Sequence, residues 1–187
     1  MDAADAPVIT TFVAPAGVRR PAIDHEAVVA EAFEAYAGKL TAFARAAVRD
    51  PDAAEDLVQE TYLRFLREVR ADRLPDNVAG WLYRVCGNLA ISRGRRSSVA
   101  ERMKRFLVDR RTAPSPEDVT IQSDERQRLQ DALQVLPADA RVGLLMAAEG
   151  YSSDEIAAAI GRTTIATRTY LSRARIRLRE VLQEREP

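Results

Sequence analysis

The residue pattern with the most specific chemistry lies near the C-terminal end of the sequence. Tyr151–Arg175 reads YSSDEIAAAIGRTTIATRTYLSRAR, which predicts a short helix, a turn at Gly161 and a longer basic helix. In helix-turn-helix motifs the early turns of the second helix enter the major groove of DNA. The candidate DNA contacts at those turns are Thr163, Thr164, Thr167 and Arg168. An ordinary helical hairpin with a charged face would give a similar pattern, so that alternative stays open here.

A second candidate site lies in Ala79–Asn88, which reads AGWLYRVCGN. Aromatic rings such as Trp81 and Tyr83 can stack on unpaired bases. Arg84 can contact phosphate, and Asn88 can hydrogen-bond a base edge. Periodicity alone favours the alternative that the two aromatic residues belong to the core, where Cys86 would also be a small buried residue.

Basic and acidic residues are segregated along the chain, although the formal net charge is +0. Basic residues crowd Arg84–Arg111 and Arg162–Arg179, whereas acidic residues gather in Asp50–Glu60 and Glu117–Asp131. Clustered cationic side chains are the electrostatic signature of nucleic-acid binding. The two basic blocks therefore indicate two DNA-contacting surfaces, with solvated helix faces as the alternative for either block alone.

Few groups are available for enzymatic chemistry or a metal site. One histidine, His25, and one cysteine, Cys86, lie far apart, which excludes an ordinary zinc site and an internal disulfide. No nucleophile–base pair or glycine-rich phosphate loop is present, so we expect no enzyme, no cofactor and no metal. Because Met1–Pro21 lacks a secretory pattern and no apolar run reaches about 20 residues, we expect a cytoplasmic protein.

The elements that must position these residues are all helical, because Ala, Leu, Arg and Glu dominate and no strand-like alternation occurs. The sequence predicts an all-α fold of two small helical domains joined by a flexible linker, the C-terminal one a helix-turn-helix. The expected divisions are a flexible N-terminal tail at 1–23, a first domain at 24–96, a linker at 97–123 and a second domain at 124–187.

Capping and breaking residues set the expected helix limits. Asp24 is a plausible N-cap of a helical segment that reaches Val48, and Gly38 is a possible break within it. Ser152 and Glu155 match a capping box, and Gly161 stands where a turn requires positive φ. The other expected helices are Asp52–Arg70, Asn77–Arg95, Asp124–Val135, Ala138–Glu149, Ser153–Ile160 and Thr164–Gln183. Within the helix-turn-helix, we expect Ile165 and Leu171 to pack against Ile156 and Ile160.

Three stretches, taken together, resemble the extracytoplasmic-function (ECF) group of RNA polymerase sigma factors. AAEDLVQETYLRFL (Ala53–Leu66) resembles the polymerase-binding helix of that family. GWLYRVCGNLAISRGRR (Gly80–Arg96) resembles its promoter-melting and −10-element helix. LPADARVGLLMAAEGYSSDEIAAAIGRTTIATRTYLSRARIRL (Leu136–Leu178) resembles its −35-reading domain, and the three occur in the family's order. The resemblance covers roughly Val29–Arg96 and Leu129–Leu182.

The resemblance implies a transcription initiation factor that binds core RNA polymerase, recognises −35 and −10 promoter DNA, promotes melting and is controlled by an anti-sigma factor. The implied polymerase-binding residues are Glu55, Asp56, Gln59, Glu60 and Arg64. The implied −10 residues are Trp81, Tyr83, Arg84, Asn88, Arg93, Arg95 and Arg96. The implied −35 residues are Thr163, Thr164, Thr167, Arg168, Tyr170, Arg173 and Arg175. Two positions depart from the family's usual residues, because Ser92 replaces an Asp and Tyr170 replaces an Arg.

Two other classes of binding protein share part of this pattern. A helix-turn-helix regulator that acts without being a polymerase subunit would share Tyr151–Arg175, but it would not account for AEDLVQETYLRFL or GWLYRVCGN. A helical adaptor that binds only protein would not require the paired basic blocks. A regulator of the first class should bind its site alone, whereas a sigma factor should require core polymerase.

Overall fold

The computed structural model describes residues 24–105 and 121–184, and that part of the chain is helical without strands. The helices are α1 (His25–Ala47), α2 (Pro51–Arg70), α3 (Val78–Arg105), α4 (Ile121–Val135), α5 (Ala138–Ala148), α6 (Ser153–Ile160) and α7 (Thr164–Gln183). The predicted all-α class is confirmed. The predicted tail at 1–23 and the linker residues 106–120 lie outside the described residues.

The helix starts follow from short polar residues that accept the first free backbone N–H groups. The Asp24 carboxylate accepts from the amides of Glu26 and Ala27 at the start of α1. The Asp50 carboxylate caps α2 in the same way, and Pro51 occupies the first helical position, where its missing N–H is not needed. The α1–α2 connection is therefore short, and the two helices pack closely against each other.

Three predicted boundaries differ from the structure by more than one residue, and one is the start of α4, which lies at Ile121 rather than Asp124. Helix α1 continues through Gly38, which is exposed and where an added Cβ would meet nothing within 4 Å. A helical glycine costs only about 1 kcal/mol relative to alanine, and the alanines and leucine around it sustain the helix. Helix α3 extends to Arg105 rather than ending near Arg95, because the serines at 97 and 98 are followed by strong helix formers.

One apolar core runs through both predicted domains. On the N-terminal side Leu40, Phe65 and Leu82 are fully buried, and Val142 and Met146 of the C-terminal side belong to the same cluster. Helix α3 lies between the two sides, since it packs against α1 and α2 as well as against α5 and α6. We call α1–α3 the N-terminal unit and α4–α7 the C-terminal unit; in this structure they are packed together.

A smaller apolar cluster orients the last helix. It is formed by Leu133, Leu136, Ala140 and Ala174. This cluster joins α4 and α5 to α7, so the position of α7 is set from within the C-terminal unit. Across residues 24–105 and 121–184, none of the helices combines the length and apolarity needed to cross a membrane.

Phe65→Ala is expected to lower the free energy of unfolding by about 3–5 kcal/mol, because it leaves a cavity under a side chain that is 0% exposed. Leu63→Ala is the matched control on the same helix, since Leu63 is 49% exposed and should cost far less. Urea unfolding followed by circular dichroism measures both. Equal losses for the two variants would contradict the described core.

Candidate nucleic-acid interface

The helix-turn-helix begins with a reciprocal cap. The Ser152 hydroxyl accepts from the Glu155 amide, and the Glu155 carboxylate accepts from the Ser152 amide at 2.9 Å. Helix α6 ends at Gly161 with φ 69°, a left-handed conformation in which glycine carries no Cβ penalty. The Thr163 hydroxyl then caps α7 by accepting from the Ala166 amide. The predicted capping box and the predicted turn at Gly161 are therefore confirmed.

The first turns of α7 present a mixed surface to solvent. Thr163 and Arg168 are exposed there, as a DNA contact requires. Ile165 is 80% exposed, so the prediction that it packs against Ile156 and Ile160 is wrong. Leu171 is buried in the same cluster as those two isoleucines, as predicted.

Two other predicted −35 residues on α7 face inward. Thr167 is 0% exposed, and its Oγ1 has no hydrogen-bond partner within residues 24–105 and 121–184. Thr164 is half-buried, and its hydroxyl donates to Asp154 of α6. Thr167 therefore fills the interior of the motif, and Thr164 joins α6 to α7. Neither side chain is free to contact a DNA base in this arrangement.

Tyr170 belongs to a polar network that holds α7 against α5. Its hydroxyl donates to Asp139 Oδ1 at 2.8 Å, and Arg162 Nη2 donates to Asp139 Oδ2 at 2.9 Å. The guanidinium of Arg162 also stacks on the Tyr170 ring, 3.9 Å from its centroid. Although burial raises the pKa of Asp139, the hydrogen bonds from Arg162 and Tyr170 together hold it below its ordinary value. Tyr170 thus positions the helix, with its hydroxyl directed away from the exposed surface.

The later arginines of α7 remain on the outside. Arg173 and Arg175 are both exposed. They continue the positive surface that begins at Arg168. This placement suits contacts to the phosphate backbone, which need charge and reach rather than a fixed pocket.

Helix α3 carries the second candidate surface, and its residues divide between two faces. Arg84 and Asn88 are exposed and four residues apart, so they share one face of the helix. Trp81 is half-buried, and its ring lies 5.7 Å from the Phe65 ring. The tryptophan is therefore anchored to the core of the N-terminal unit while part of its ring stays accessible.

Tyr83 is enclosed between the two units. It is 2% exposed, and its ring centroid lies 5.0 Å from that of Phe43 and 5.1 Å from that of Tyr151. Its hydroxyl donates to Glu149 Oε2 at 3.3 Å. Burial, reinforced by the charge of Glu149, raises the pKa of Tyr83 above its ordinary value. Because Tyr151 and Glu149 belong to the C-terminal unit, Tyr83 has no face open to DNA while the units are packed together.

The arginines that follow on α3 are exposed and partly engaged by acids. Arg93 lies 4.0 Å from an Asp50 carboxylate oxygen and 3.7 Å from one of Asp56. Arg96 donates to the carbonyl of Ser92 within its own helix at 3.3 Å, and Arg95 is exposed. The basic end of α3 thus lies beside the start of α2, and contacts of Arg93 to phosphate would compete with these ion pairs.

The predicted polymerase-binding residues form an exposed strip on α2. Glu55, Asp56 and Gln59 are exposed. Glu60 is half-buried and accepts from Arg64 Nε at 2.8 Å, a hydrogen bond that lowers the pKa of Glu60. The strip is therefore the polar face of an amphipathic helix whose opposite face is buried.

Sequence reasoning missed the residues that join the two units. Gln130, Gln134 and Arg141 of the C-terminal unit donate to backbone carbonyls at the end of α1. Their bonding partners are 85 to 94 residues away in the chain. No local pattern identifies such contacts, because a backbone carbonyl carries no sequence signature.

Comparison with known proteins agrees with this layout. Residues 32–99 match the family model of sigma-70 region 2, and residues 126–178 match that of sigma-70 region 4. The chain is 32% identical over 146 residues to the ECF RNA polymerase sigma factor EcfG of Rhodopseudomonas palustris, covering 76% of this chain and 78% of that protein. It is also 32% identical over 154 residues to the probable RNA polymerase sigma factor RfaY of Xanthomonas campestris. That match covers 78% of this chain, which spans 38% of the length of RfaY.

A solved structure is similar over most of its length. It is the sigma factor RpoE of Bartonella quintana, in complex with the anti-sigma factor NepR, with a TM-score of 0.61 and 26% sequence identity. The similarity covers 87% of this chain and 99% of that chain. The helical order and both family regions define a sigma-70-type protein. The chain belongs to the ECF family of RNA polymerase sigma factors.

Asp139→Asn is expected to destabilise the protein more at neutral pH than near pH 3. The folded protein holds the pKa of Asp139 below its ordinary 3.8, so the stabilisation is complete above that pH and is lost as the pH falls through the folded value. Urea unfolding at both pH values measures the difference. Asp76→Asn, at an exposed loop position, is the control that should change neither value. A gap between Asp139→Asn and the unsubstituted protein that persists unchanged at pH 3 would contradict this role.

Proposed function

We propose that this protein is a transcription initiation factor that binds core RNA polymerase, recognises −35 and −10 promoter elements and promotes DNA melting. It would act in the cytoplasm, and its work would be binding and deformation of DNA rather than bond chemistry. The observation that carries the proposal is that one chain exposes two surfaces whose residue types suit contacts to DNA. The first is formed by Arg84 and Asn88 on α3, and the second by Thr163 and Arg168 on α7.

The C-terminal surface would read the −35 element in duplex DNA. Arg168 lies on an early exposed turn of α7, where it can reach a base edge in the major groove. Arg173 and Arg175, farther along the helix, would hold the phosphate backbone. The Asp139–Tyr170 hydrogen bond supports this role because it fixes α7 relative to α5.

The N-terminal surface would hold the −10 element as it opens. Removing a base from the stack costs a few kcal/mol, which stacking and hydrogen bonds to the extruded base can offset. Trp81 supplies an anchored aromatic ring, Asn88 an amide for a base edge, and Arg84 a charge for phosphate. Melting would therefore result from binding the unpaired strand more tightly than the duplex.

The polar strip on α2 is proposed as the polymerase-binding surface. Glu55, Asp56 and Gln59 project from a helix that is anchored through Phe65 and Val69. Side chains on a rigid helix are well placed to bind a partner, since the helix loses little conformational freedom on binding. Control by an anti-sigma factor is proposed from the similarity to RpoE, whose solved structure contains NepR.

A helix-turn-helix regulator that acts without polymerase is the alternative function. The observation in its favour is that Thr163 and Arg168 are exposed even with the two units packed together. The alternative leaves the strip on α2 and the exposed Asn88 without a role. It requires the purified chain alone to bind specific duplex DNA, whereas the sigma-factor proposal requires core polymerase.

The direct test is transcription by core RNA polymerase from a library of promoter-like DNA. Addition of the chain should select templates that share a −35/−10 pair. Asn88→Ala should lower initiation by about tenfold, because a base contact contributes roughly 1–3 kcal/mol. Asp56→Ala should weaken binding to core polymerase by about tenfold, as expected for a charged interface residue. Specific duplex binding by the chain without any affinity for polymerase would support the regulator instead.

Glu180→Ala is the matched control for the Asp56 variant. Glu180 is an exposed acid near the end of α7 that pairs with Arg177 of its own helix. Its removal should leave polymerase affinity unchanged. A similar loss with both variants would mean that general charge, rather than the strip on α2, governs the interaction.

Arg168→Ala and Arg175→Ala should weaken promoter binding by the polymerase complex in different ways. Loss of a base contact at Arg168 should relax sequence preference at one −35 position. Loss of a phosphate contact at Arg175 should weaken all sequences about equally and reduce the salt-dependence slope by about one. Affinity measured over a salt series on matched and mutated −35 sequences separates the two. Identical behaviour would refute the assigned roles.

A further inference from the structure

An isoleucine stands in water at the start of α7. Ile165 is the second residue of that helix and is 80% exposed. The two isoleucines of α6 in the same motif, Ile156 and Ile160, are buried in the core. Leaving a large apolar side chain in water forgoes the free energy that its burial would contribute. Ile165 therefore adds little to the packing of the motif, and its apolar surface is accessible to a partner.

The place of Ile165 in the fold distinguishes it from an ordinary exposed apolar residue, which is common on protein surfaces. In a helix-turn-helix the N-terminal residues of the second helix contact base edges in the major groove. Arg168, three residues after Ile165, is exposed on the same side of α7. Thr167 and Leu171 mark the opposite side, because both are buried. Ile165 thus lies on the face of α7 that the proposed function turns toward duplex DNA.

The hydroxyl groups around Ile165 already have partners within the protein. The Thr163 hydroxyl accepts from the Ala166 amide at 3.3 Å. The Thr164 hydroxyl donates to a carboxylate of α6, and the Thr169 hydroxyl donates to the carbonyl of Ile165 at 3.4 Å. The side chain of Ala166 is exposed beside Ile165 and adds a second apolar group. This part of the surface is therefore suited to apolar contact more than to hydrogen bonding.

The chemistry of the base edges limits what an isoleucine can recognise. In the major groove each base pair presents hydrogen-bond donors and acceptors, and thymine also presents its C5 methyl group. An isoleucine side chain has no donor or acceptor, so it gains free energy there by removing apolar area from water. A polar base edge placed against it would lose hydration without gaining a hydrogen bond, which disfavours other bases. Thymine is therefore the base that fits this side chain.

We infer that Ile165 is a specificity-determining residue that recognises the C5 methyl of a thymine in the duplex element bound by α7. The inference rests on the proposed function, because it assumes that α7 enters the major groove. Side chains three residues apart on a helix have Cβ atoms about 5–6 Å apart. Successive base pairs are about 3.4 Å apart along the duplex. The thymine should therefore lie within about two base pairs of the base contacted by Arg168.

Replacement of thymine by 2′-deoxyuridine tests the contact, because it removes the methyl group and leaves every hydrogen-bonding group of the base in place. Each thymine of the −35 element, on either strand of a promoter selected from the library, is replaced in turn. With the unsubstituted chain and core polymerase, one replacement should weaken binding about fourfold, as expected for one buried methyl group. With Ile165→Ala, the thymine and uracil promoters should bind equally well. The four affinities form a double-mutant cycle that isolates the contact.

Ile176→Ala is the matched control. Ile176 is 52% exposed and lies about three turns farther along the same face of α7, beyond the first turns that enter the groove. This variant should retain the fourfold difference between thymine and uracil. Both isoleucines are exposed, so neither replacement should change the thermal unfolding temperature measured by circular dichroism.

The outcomes separate the inference from the proposed function. A fourfold difference that persists in Ile165→Ala, or equal binding of thymine and uracil at every position by the unsubstituted chain, would overturn the inference and leave the proposed function standing. If the chain does not act with polymerase but binds duplex DNA alone, the proposed function fails, and the same comparison on that duplex decides the inference. Absence of specific duplex binding in both settings would overturn both.

Discussion

The close crossing of α3 and α5 is the contact on which the arrangement of the chain depends. Gly87 and Gly94 bring the backbone of α3 against Val142 and Ala138 with no space for another side chain. Because α3 also carries Arg84 and Asn88 on an exposed face, one helix serves the core, the other unit and the candidate DNA surface at once. Any movement of α5 therefore changes the packing of the helix that carries the candidate −10 residues.

The two candidate DNA surfaces are positioned by different physical means. On α3, the ring of Trp81 is anchored by contact with Phe65 in a large apolar core. On α7, the orientation depends on a compact polar network, in which Asp139 bonds both Arg162 and Tyr170. In this chain Tyr170 therefore fixes the helix through its hydrogen bond to Asp139. The exposed Arg168 is then the cation on the early turns of α7 that could reach DNA.

Features set by neighbouring residues could be predicted from the sequence. The Ser152–Glu155 cap, the turn at Gly161 and the cap at Asp24 all follow from side chains within a few residues of the backbone groups they serve. The order of the helices was predicted for the same reason, since the signals for a helix are contained in the helix and its ends. The residues of the α2 strip were implied instead by the resemblance to the ECF family.

The orientation of α7 was predicted less well, although the signal was present. Extending the stripe of Leu171 and Ala174 backward at helical spacing leads to Thr167, so the buried face holds a threonine and leaves Ile165 outside. Hydrophobicity alone favoured the isoleucine. The packing of the two units had no comparable signal, since Gln130 and Arg45 are 85 residues apart and the acceptor is a backbone atom.

Substitutions on the two sides of the hydrogen bonds at the end of α1 have unequal effects on those bonds. On the donor side, Gln130, Gln134 and Arg141 can each be replaced by a residue that no longer donates. On the acceptor side, the carbonyls of residues 45, 46 and 47 are present whichever amino acid occupies those positions. Single substitutions that weaken this contact between the two units should therefore arise on α4 and α5 far more readily than at the end of α1. Evolutionary changes in this contact would come mainly from residues of α4 and α5.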